Sequence, residues 1–363
     1  MIQRIVWGGL ADPATLAHAL GRAPESRPLT LPDHALLRDR DTQAPLLVPA
    51  PGASAKAAAL SGLTEAETAT LDFLDIAMGA AQRFAADGLP GRRGDPGDAI
   101  HDRDPADPAL AHELIAELVT WQGEVAPEAL ARRRRALGVV ASSRVRARSS
   151  APATLRHHAA PGDVAVAALR HPYAAFFALE EYDTAWRRFD GTMGPPATRA
   201  VFISGDAVTV LPYDPLRDRV LLVEQYRAGP TARGDAQPWQ FETVAGRIDP
   251  GESPEAAARR EAVEEAGLSL TDLRFVAGHY PSPGAVSEYL YSYVALTALP
   301  DGCAGVFGME AEHEDIRGHL VDFQAMMAMV GTGEIQNAPL ILTALWLQRE
   351  RSALRATRQA EGG

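Results

Sequence analysis

The sequence predicts a mixed α/β (α+β) protein built from more than one domain, on three observations. Val201–Leu211 and Val220–Val223 cluster β-branched residues around a turn and are followed by a helix-forming stretch at Pro254–Ala266, a mixture of strands and helices. Residues 109–137 are rich in Ala, Leu, Glu and Arg at helical spacing, with no strand signal. The chain has 363 residues, more than one typical domain holds. Gly/Pro/Asp-dense residues 88–108 and the stretch 149–163 read as linkers, so the expected division is 1–100, a helical and linker segment at 101–165, and 166–363.

The elements follow in order. Ile2–Trp7 reads as a strand, closed by Gly8-Gly9. A helix is expected over Pro13–Leu20, with Gly21 as its C-cap. Pro45–Pro51 suits a strand or loop edge. Thr64 and Glu67 have the T-x-x-E spacing of a capping box, which starts a helix that runs to Phe73. Arg132–Arg135 form a basic run, read as a solvated helix face. Pro212–Asp218 (PYDPLRD) is a turn between the two β-branched runs. Further strands are expected around Phe275–Gly278 and Tyr289–Ala295, and a long last helix over about Leu340–Arg358. No internal repeat is visible.

Bulk chemistry narrows the function classes. A formal net charge of -12 argues against a nucleic-acid-binding surface. It is compatible with a nucleotide substrate where a metal ion offsets local negative charge. Cys303 is the one cysteine, so no disulfide can form within the chain and a reducing compartment fits. The N-terminus lacks the apolar core of a signal peptide, and no run approaches the roughly 18 apolar residues of a membrane span. These features predict a soluble cytoplasmic protein without membrane or nucleic-acid partners.

Residues 246–268, GRIDPGESPEAAARREAVEEAGL, carry the strongest signal. Ser253 can cap a helix, Pro254 suits its first position, the alanines at 256, 257, 258 and 262 propagate it, and Gly267 can stop it. Glu261 and Glu265 are four apart and share a helical face, with Glu264 flanking it. Three carboxylates on one side repel one another unless a cation lies among them, and hard oxygen ligands suit Mg²⁺ or Mn²⁺. The competing reading is a solvated acidic helix face, eased by Arg259 and Arg260.

The spacing of Gly246, Glu252, Arg260, Glu261, Glu264, Glu265 and Gly267 resembles the Nudix box at every fixed position, with Leu268 and a small Ala262 in the apolar slots. The flanks Leu221–Gly229, Pro238–Gly246, Tyr280–Glu288 and Glu310–His319 look like the ADP-ribose pyrophosphatase branch, including its two-domain proteins named for tellurite resistance. The resemblance covers about 165–350 and implies an α/β/α sandwich that hydrolyses ADP-ribose to AMP and ribose 5-phosphate. It implies a Mg²⁺ site (Mn²⁺ as the other option) from Glu261, Glu265, Glu314 and the carbonyl of Ala245. Glu312 is implied as general base, with Glu264 and Arg260 beside it in the catalytic set. A base must reach the attacking water while a metal lowers that water's pKa, so loop and helix carboxylates have to meet. Arg227 and Glu242 are implied substrate contacts, and the turn at Ser282 and Gly284 helps select the substrate. Phe176–Gly191 also resembles this branch, where it forms a homodimer interface and supplies adenine contacts; Arg188, Phe189 and Arg199 are the candidates. The bland readings are an acidic loop for Glu310, Glu312 and Glu314, and an edge strand with core aromatics for the segment near Phe189.

The N-terminal part faintly resembles gamma-glutamylcyclotransferase-like domains. Trp7-Gly8-Gly9-Leu10 stands where those domains have a Tyr-Gly-Ser/Thr-Leu turn, and Leu71–Asp75 (LDFLD) puts Asp75 in the slot of a catalytic Glu. Asp is one methylene shorter, so the resemblance implies that fold without its activity. Alternatives for the whole chain are hydrolysis of another nucleoside diphosphate-X substrate and a non-catalytic ADP-ribose sensor.

Overall fold

The structure, a computed structural model, describes residues 2–80, 82–86, 88–100, 107–149, 152–175, 177–309 and 314–361. The chain forms two compact units, Met1–Ser204 with Asp249–Gly251, and Gly205–Ile248 with Glu252–Gly363.

The first unit opens with β1 (Ile2–Trp7), α1 (Pro13–Leu20), β2 (Glu25–Asp39), β3 (Pro45–Leu63) and α2 (Glu65–Ala77). The expected caps form: Thr64 and Glu67 make a capping box, and Gly21 ends α1 in the left-handed conformation at φ 71. β4 (Gln82–Ala86), β5 (Leu89–Arg93) and β6 (Ala99–Ile100) follow, then α3 (Pro108–Thr120), α4 (Pro127–Ala131) and α5 (Arg134–Ala147). β7 (Val164–Ala174), β8 (Ala178–Trp186) and β9 (Ala197–Ile203) complete the unit as a three-stranded sheet. The main sheet runs β1-β3-β2-β6. Its strands alternate: Val6, Ala58 and Leu60 join a helix-side cluster with Leu71, Leu114 and Trp121, while Ile5, Trp7, Ala57 and Ala59 join Leu46 and Leu47 on the other face.

Several expectations change here. β2 is not among the expected elements, and it contains Pro28 and Pro32. Both prolines pair in register, with Ala58 and Ser54, where β2 is an edge strand because β6 joins it only at Arg38 and Asp39; the register shift with Asp33 at φ 55 comes after Pro32. The stretch 88–108 is not all linker: β5 pairs with β4 and β6 with β2, in strands too short to show periodicity. Segment 101–165 supplies core, since Leu110, Leu114, Leu118 and Leu137 are buried with α1 and α2. The units divide at Ser204/Gly205 rather than near 165, because Ala178 and Ile203 of β8 and β9 are buried in that same cluster. Arg132–Arg135 is not a uniformly solvated face. The Arg134 side chain is 15% exposed and pairs with Asp41 at 3.0 Å and Asp98 at 3.4 Å.

The second unit contains β10 (Ala207–Asp214), β11 (Arg219–Tyr226), α6 (Ala228–Arg233), β12 (Trp239–Glu242), β13 (Val244–Arg247) and α7 (Pro254–Ala266). Then come β14 (Asp272–His279), β15 (Leu290–Leu296), β16 (Val306–Phe307), β17 (Ile316–Asp322), α8 (Phe323–Thr332) and α9 (Ala338–Glu361). The sheet runs β14-β15-β10-β11-β17-β16, with β12 on β11 and β13 on β10. Val208, Val210, Leu221 and Val223 face Ala257, Ala258 and Ala262 of α7, while Leu211, Tyr213, Val220 and Leu222 face Phe323, Met326, Leu340 and Ala344 of α8 and α9. The period of two thus feeds two cores, and the unit is a helix–sheet–helix sandwich. The run Val201–Leu211 proves to be two strands broken at Ser204–Asp206. Among the described residues no helix is long and apolar enough to cross a membrane.

Candidate active site

α7 is built as its sequence predicts. Ser253 accepts the Ala256 N–H at 3.2 Å, Pro254 lies in the first turn, and Gly267 closes the helix at φ 63. Ala257, Ala258 and Ala262 are fully buried against the sheet, so the small side chains bring α7 close to β10 and β13. The small residue in the Ala262 slot is thereby explained by packing.

The same buried face of α7 carries the acids, between the alanines and over β13. Glu261 and Glu265 are 9% and 2% exposed. Burial pushes the Glu261 carboxyl up to about 7, against the opposing pull of Arg260. Burial pushes Glu265 up to about 8, offset in part by the Ala245 N–H, which donates to its Oε2 at 2.9 Å. Glu314 adds negative charge to both, although it lies on the far side of β16 in sequence. Its own carboxylate accepts the Met309 N–H at 3.2 Å.

Arg260 ties the acids together. It donates to Glu261 at 2.6 Å, to Glu264 at 3.0 Å, to Glu252 at 2.9 and 3.1 Å, and to the Arg247 carbonyl at 2.9 Å. Burial opposes its charge, but these acids raise its pKa further above the ordinary guanidinium value. Arg227 and Glu242 form a second pair, with Nε–Oε1 at 3.0 Å and Nη2–Oε2 at 2.6 Å. The pairing follows from register, because Glu242 of β12 stands opposite Val223 of β11, a few residues before Arg227. Burial would lower the Arg227 pKa, yet Glu242 together with the charges of Glu265 and Glu314 raises it. Arg227 therefore faces the same pool of negative charge as the acids of α7.

These residues present buried oxygen donors at one end of the sheet, with cationic groups at the margin. Two buried carboxylates held up to neutral-range pKa values by desolvation are a poor structural arrangement and a good divalent-cation site. The donor set is all oxygen, which fits Mg²⁺ or Mn²⁺.

Comparison with known proteins agrees with this chemistry. The NUDIX domain profile matches residues 204–342. An ADP-ribose pyrophosphatase of Escherichia coli (strain K12) is 39% identical over 193 residues, which cover 53% of this chain and 91% of that protein. The chain belongs to the Nudix family. An ADP-ribose pyrophosphatase of Haemophilus influenzae is 31% identical over 193 residues, covering 53% of this chain and 88% of that protein. A GDP-mannose pyrophosphatase of Enterobacter sp. (strain 638) is 31% identical over 150 residues, covering 41% and 77%.

Not every anticipated site residue of this Nudix chain lies in that cluster. Glu312, the anticipated base, and Glu310 lie outside the described residues. Ser282 and Gly284 sit in an exposed turn between β14 and β15, where the Ser282 carbonyl accepts the N–H groups of Ala285 and Val286. Arg188, Phe189 and Arg199 belong to the first unit. Phe189 is 99% exposed, and Arg199 lies over the Trp186 ring at 5.3 Å. Sequence reasoning left out two contributors. Glu252 anchors Arg260 from the loop before α7, a role its place among the fixed box positions could have suggested. Gln225 donates to Glu242 at 3.4 Å, and no local pattern marks it.

Proposed function

We propose that this protein hydrolyses ADP-ribose to AMP and ribose 5-phosphate. The observation that carries the reading is the buried pair Glu261 and Glu265 on one face of α7, with Arg260 on Glu261 and the Ala245 N–H on Glu265. The 39% identity to a protein named ADP-ribose pyrophosphatase supports the substrate.

In this reading Glu261, Glu265, Glu314 and the Ala245 carbonyl hold the divalent cation, Mg²⁺ with Mn²⁺ as substitute. When bound, the ion offsets the charge of the diphosphate and acidifies the attacking water. Glu312 takes a proton from that water as its oxygen attacks phosphorus. The bridging P–O bond breaks, and the electron pair leaves with the departing phosphate. Arg260 and Glu264 hold the ligand carboxylates in register. Arg227, oriented by Glu242, meets the substrate's phosphates. The turn at Ser282 and Gly284 helps select ADP-ribose, and Arg188, Phe189 and Arg199 serve the adenine end in a homodimer.

The rest of the proposal concerns context. The first unit contains a gamma-glutamylcyclotransferase-like domain without that activity, and the second unit carries the hydrolase. The protein acts in the cytoplasm, on small molecules rather than nucleic acid or membrane, as a two-domain protein of the tellurite-resistance type. Asp75 supports an inactive first domain: it is buried and paired with Arg4 at 2.5 Å, a structural engagement for a would-be base.

A second reading, another nucleoside diphosphate sugar as substrate, draws on the likeness to a GDP-mannose pyrophosphatase. The test is a Mg²⁺ assay of ADP-ribose, NADH, a diadenosine polyphosphate and a sugar nucleotide. AMP release from ADP-ribose in preference to the others is expected. Faster cleavage of a different substrate replaces ADP-ribose. No cleavage by a folded, metal-binding chain leaves an ADP-ribose sensor.

A further inference from the structure

The first unit holds a second cluster of metal-ligating groups. Glu117 on α3, His171 on β7 and Glu180 on β8 bring one donor atom each within 4.8 Å of one another. Glu117 and Glu180 are 2% and 0% exposed, and the His171 ring is wholly buried.

Each group has one atom tied to an orienting partner and another turned inward. His171 Nδ1 lies 2.9 Å from Glu124 Oε2, which leaves Nε2 toward the carboxylates. Glu117 Oε1 accepts the Trp121 indole N–H at 3.0 Å, which leaves Oε2. Glu180 Oε2 accepts the Tyr182 hydroxyl, which leaves Oε1. The His171 ring is further fixed by stacking on Trp121 at 3.6 Å between centroids. A carboxylate behind a ligating imidazole and hydrogen-bond donors behind ligating carboxylates are how metal sites orient their ligands.

The spacing suits an ion better than a direct bond. His171 Nε2 and Glu180 Oε1 are 4.0 Å apart, too far for a hydrogen bond. One ion making two bonds of about 2 Å can span that gap. Thr120 Oγ1, 3.4 Å from Nε2, is the ring's other neighbour on that side, and it already donates to the Glu117 carbonyl at 2.7 Å.

Arg144 of α5 stands in the cation's place. Its guanidinium meets Glu117, and its Nη2 lies 3.2 Å from Glu180 Oε1. Arg144 hydrogen-bonds both buried carboxylates, while Arg133, over the Trp121 ring, adds only a longer-range positive charge to Glu117. The Arg144 side chain is 31% exposed and can turn to solvent, whereas its acidic partners at 2% and 1% cannot. We propose that Glu117, His171 and Glu180 bind one divalent transition-metal ion of the Zn²⁺ class, in exchange with the Arg144 guanidinium. The imidazole favours such an ion over Mg²⁺, so this site and the all-oxygen site of α7 take different metals. Bound there, the ion pins α3 to β7 and β8.

The test uses the full chain, dialysed against Zn²⁺ in excess Mg²⁺, with bound zinc measured by elemental analysis and the fold checked by circular dichroism. One zinc per chain is expected, and it should persist in the Glu261→Gln/Glu265→Gln variant. Glu180→Gln should weaken binding by about 100-fold or more, and Glu124→Gln by about 10-fold. Arg144→Gln should tighten binding by about 10-fold or more, a direction no folding defect produces. Absence of retained zinc in the wild type overturns the proposal. So does zinc retained equally by Glu180→Gln and His171→Gln, or lost with the α7 carboxylates.

Discussion

The Glu261 carboxylate lies against the Cα of Gly246, so closely that a Cβ at that position would fall 2.0 Å from its Cδ and Oε1. β13 can pass beneath the acid only where it has no side chain. Gly246→Ala is therefore expected to push Glu261 out of position while the strand, paired through Gly246 with Val208, persists. Misplacing a metal-ligating carboxylate by about an ångström should lower kcat by about 100-fold. Steady-state kinetics with circular dichroism checks this, and near-wild-type turnover would remove Gly246 from the site.

Arg260→Lys keeps the charge and loses the geometry. A guanidinium reaches Glu252, Glu261, Glu264 and the Arg247 carbonyl together, and an ammonium cannot. A kcat reduced about 10-fold or more is expected, with a Tm lowered by several degrees because Glu261 loses its nearest compensating partner. A lysine variant that matches wild type in both would show Arg260 to be a surface charge only.

The helix α7 was legible because everything that makes it is local. Its caps at Ser253 and Gly267, its buried alanines and its i,i+4 acids all fall within 23 residues. The Arg227–Glu242 pair could be suspected only through family likeness, since it depends on the β11–β12 register. Glu314 reaches the acids through the β16–β17 pairing, which the local sequence does not encode. β2 was hidden because Pro28 and Pro32 signal a break, and only the sheet order shows that they lie on an edge stretch, where a missing N–H costs no ladder bond. The boundary near residue 165 followed composition, while burial of Ala178 and Ile203 decides where the compact unit ends.

The two buried acids also set a pH dependence. Their carboxyls rise from the ordinary 4.5 to about 7 and about 8 in the folded, metal-free chain. A raised carboxyl pKa means the folded state keeps protons that the unfolded chain has released. Their contribution to stability is thus fully present below about 4.5 and is lost as pH rises through 7 to 8. A divalent cation needs both groups ionised and must displace those protons. Mg²⁺ should therefore raise Tm more at pH 8.5 than at pH 6, with proton release visible when calorimetric titrations are compared across buffers. An equal Mg²⁺-induced shift at both pH values would contradict the burial of these acids.

Asp218 holds α9 to the sheet away from the site, and its loss should affect stability without affecting turnover. Asp218 closes the β10–β11 turn at φ 58, where Asn is also tolerated. Its carboxylate accepts Arg351 Nε at 2.7 Å and the buried Tyr213 hydroxyl at 2.9 Å, and Arg355 Nη1 lies 3.0 Å away. Asp218→Asn leaves the turn intact but strips the charge facing two arginines. The cost should be about 1–2 kcal/mol, below that of a fully buried pair, because both arginines are about a quarter exposed. Arg351 holds the Asp218 carboxyl below its ordinary value. A lowered carboxyl pKa gives stability that is complete above the unfolded value, about 3.9, and fades as pH falls through the folded one. Urea denaturation should then show a gap between wild type and Asp218→Asn that is constant from pH 5 to 8 and narrows below pH 4. A gap that does not narrow in acid would assign the loss to the turn rather than to the arginine pairs.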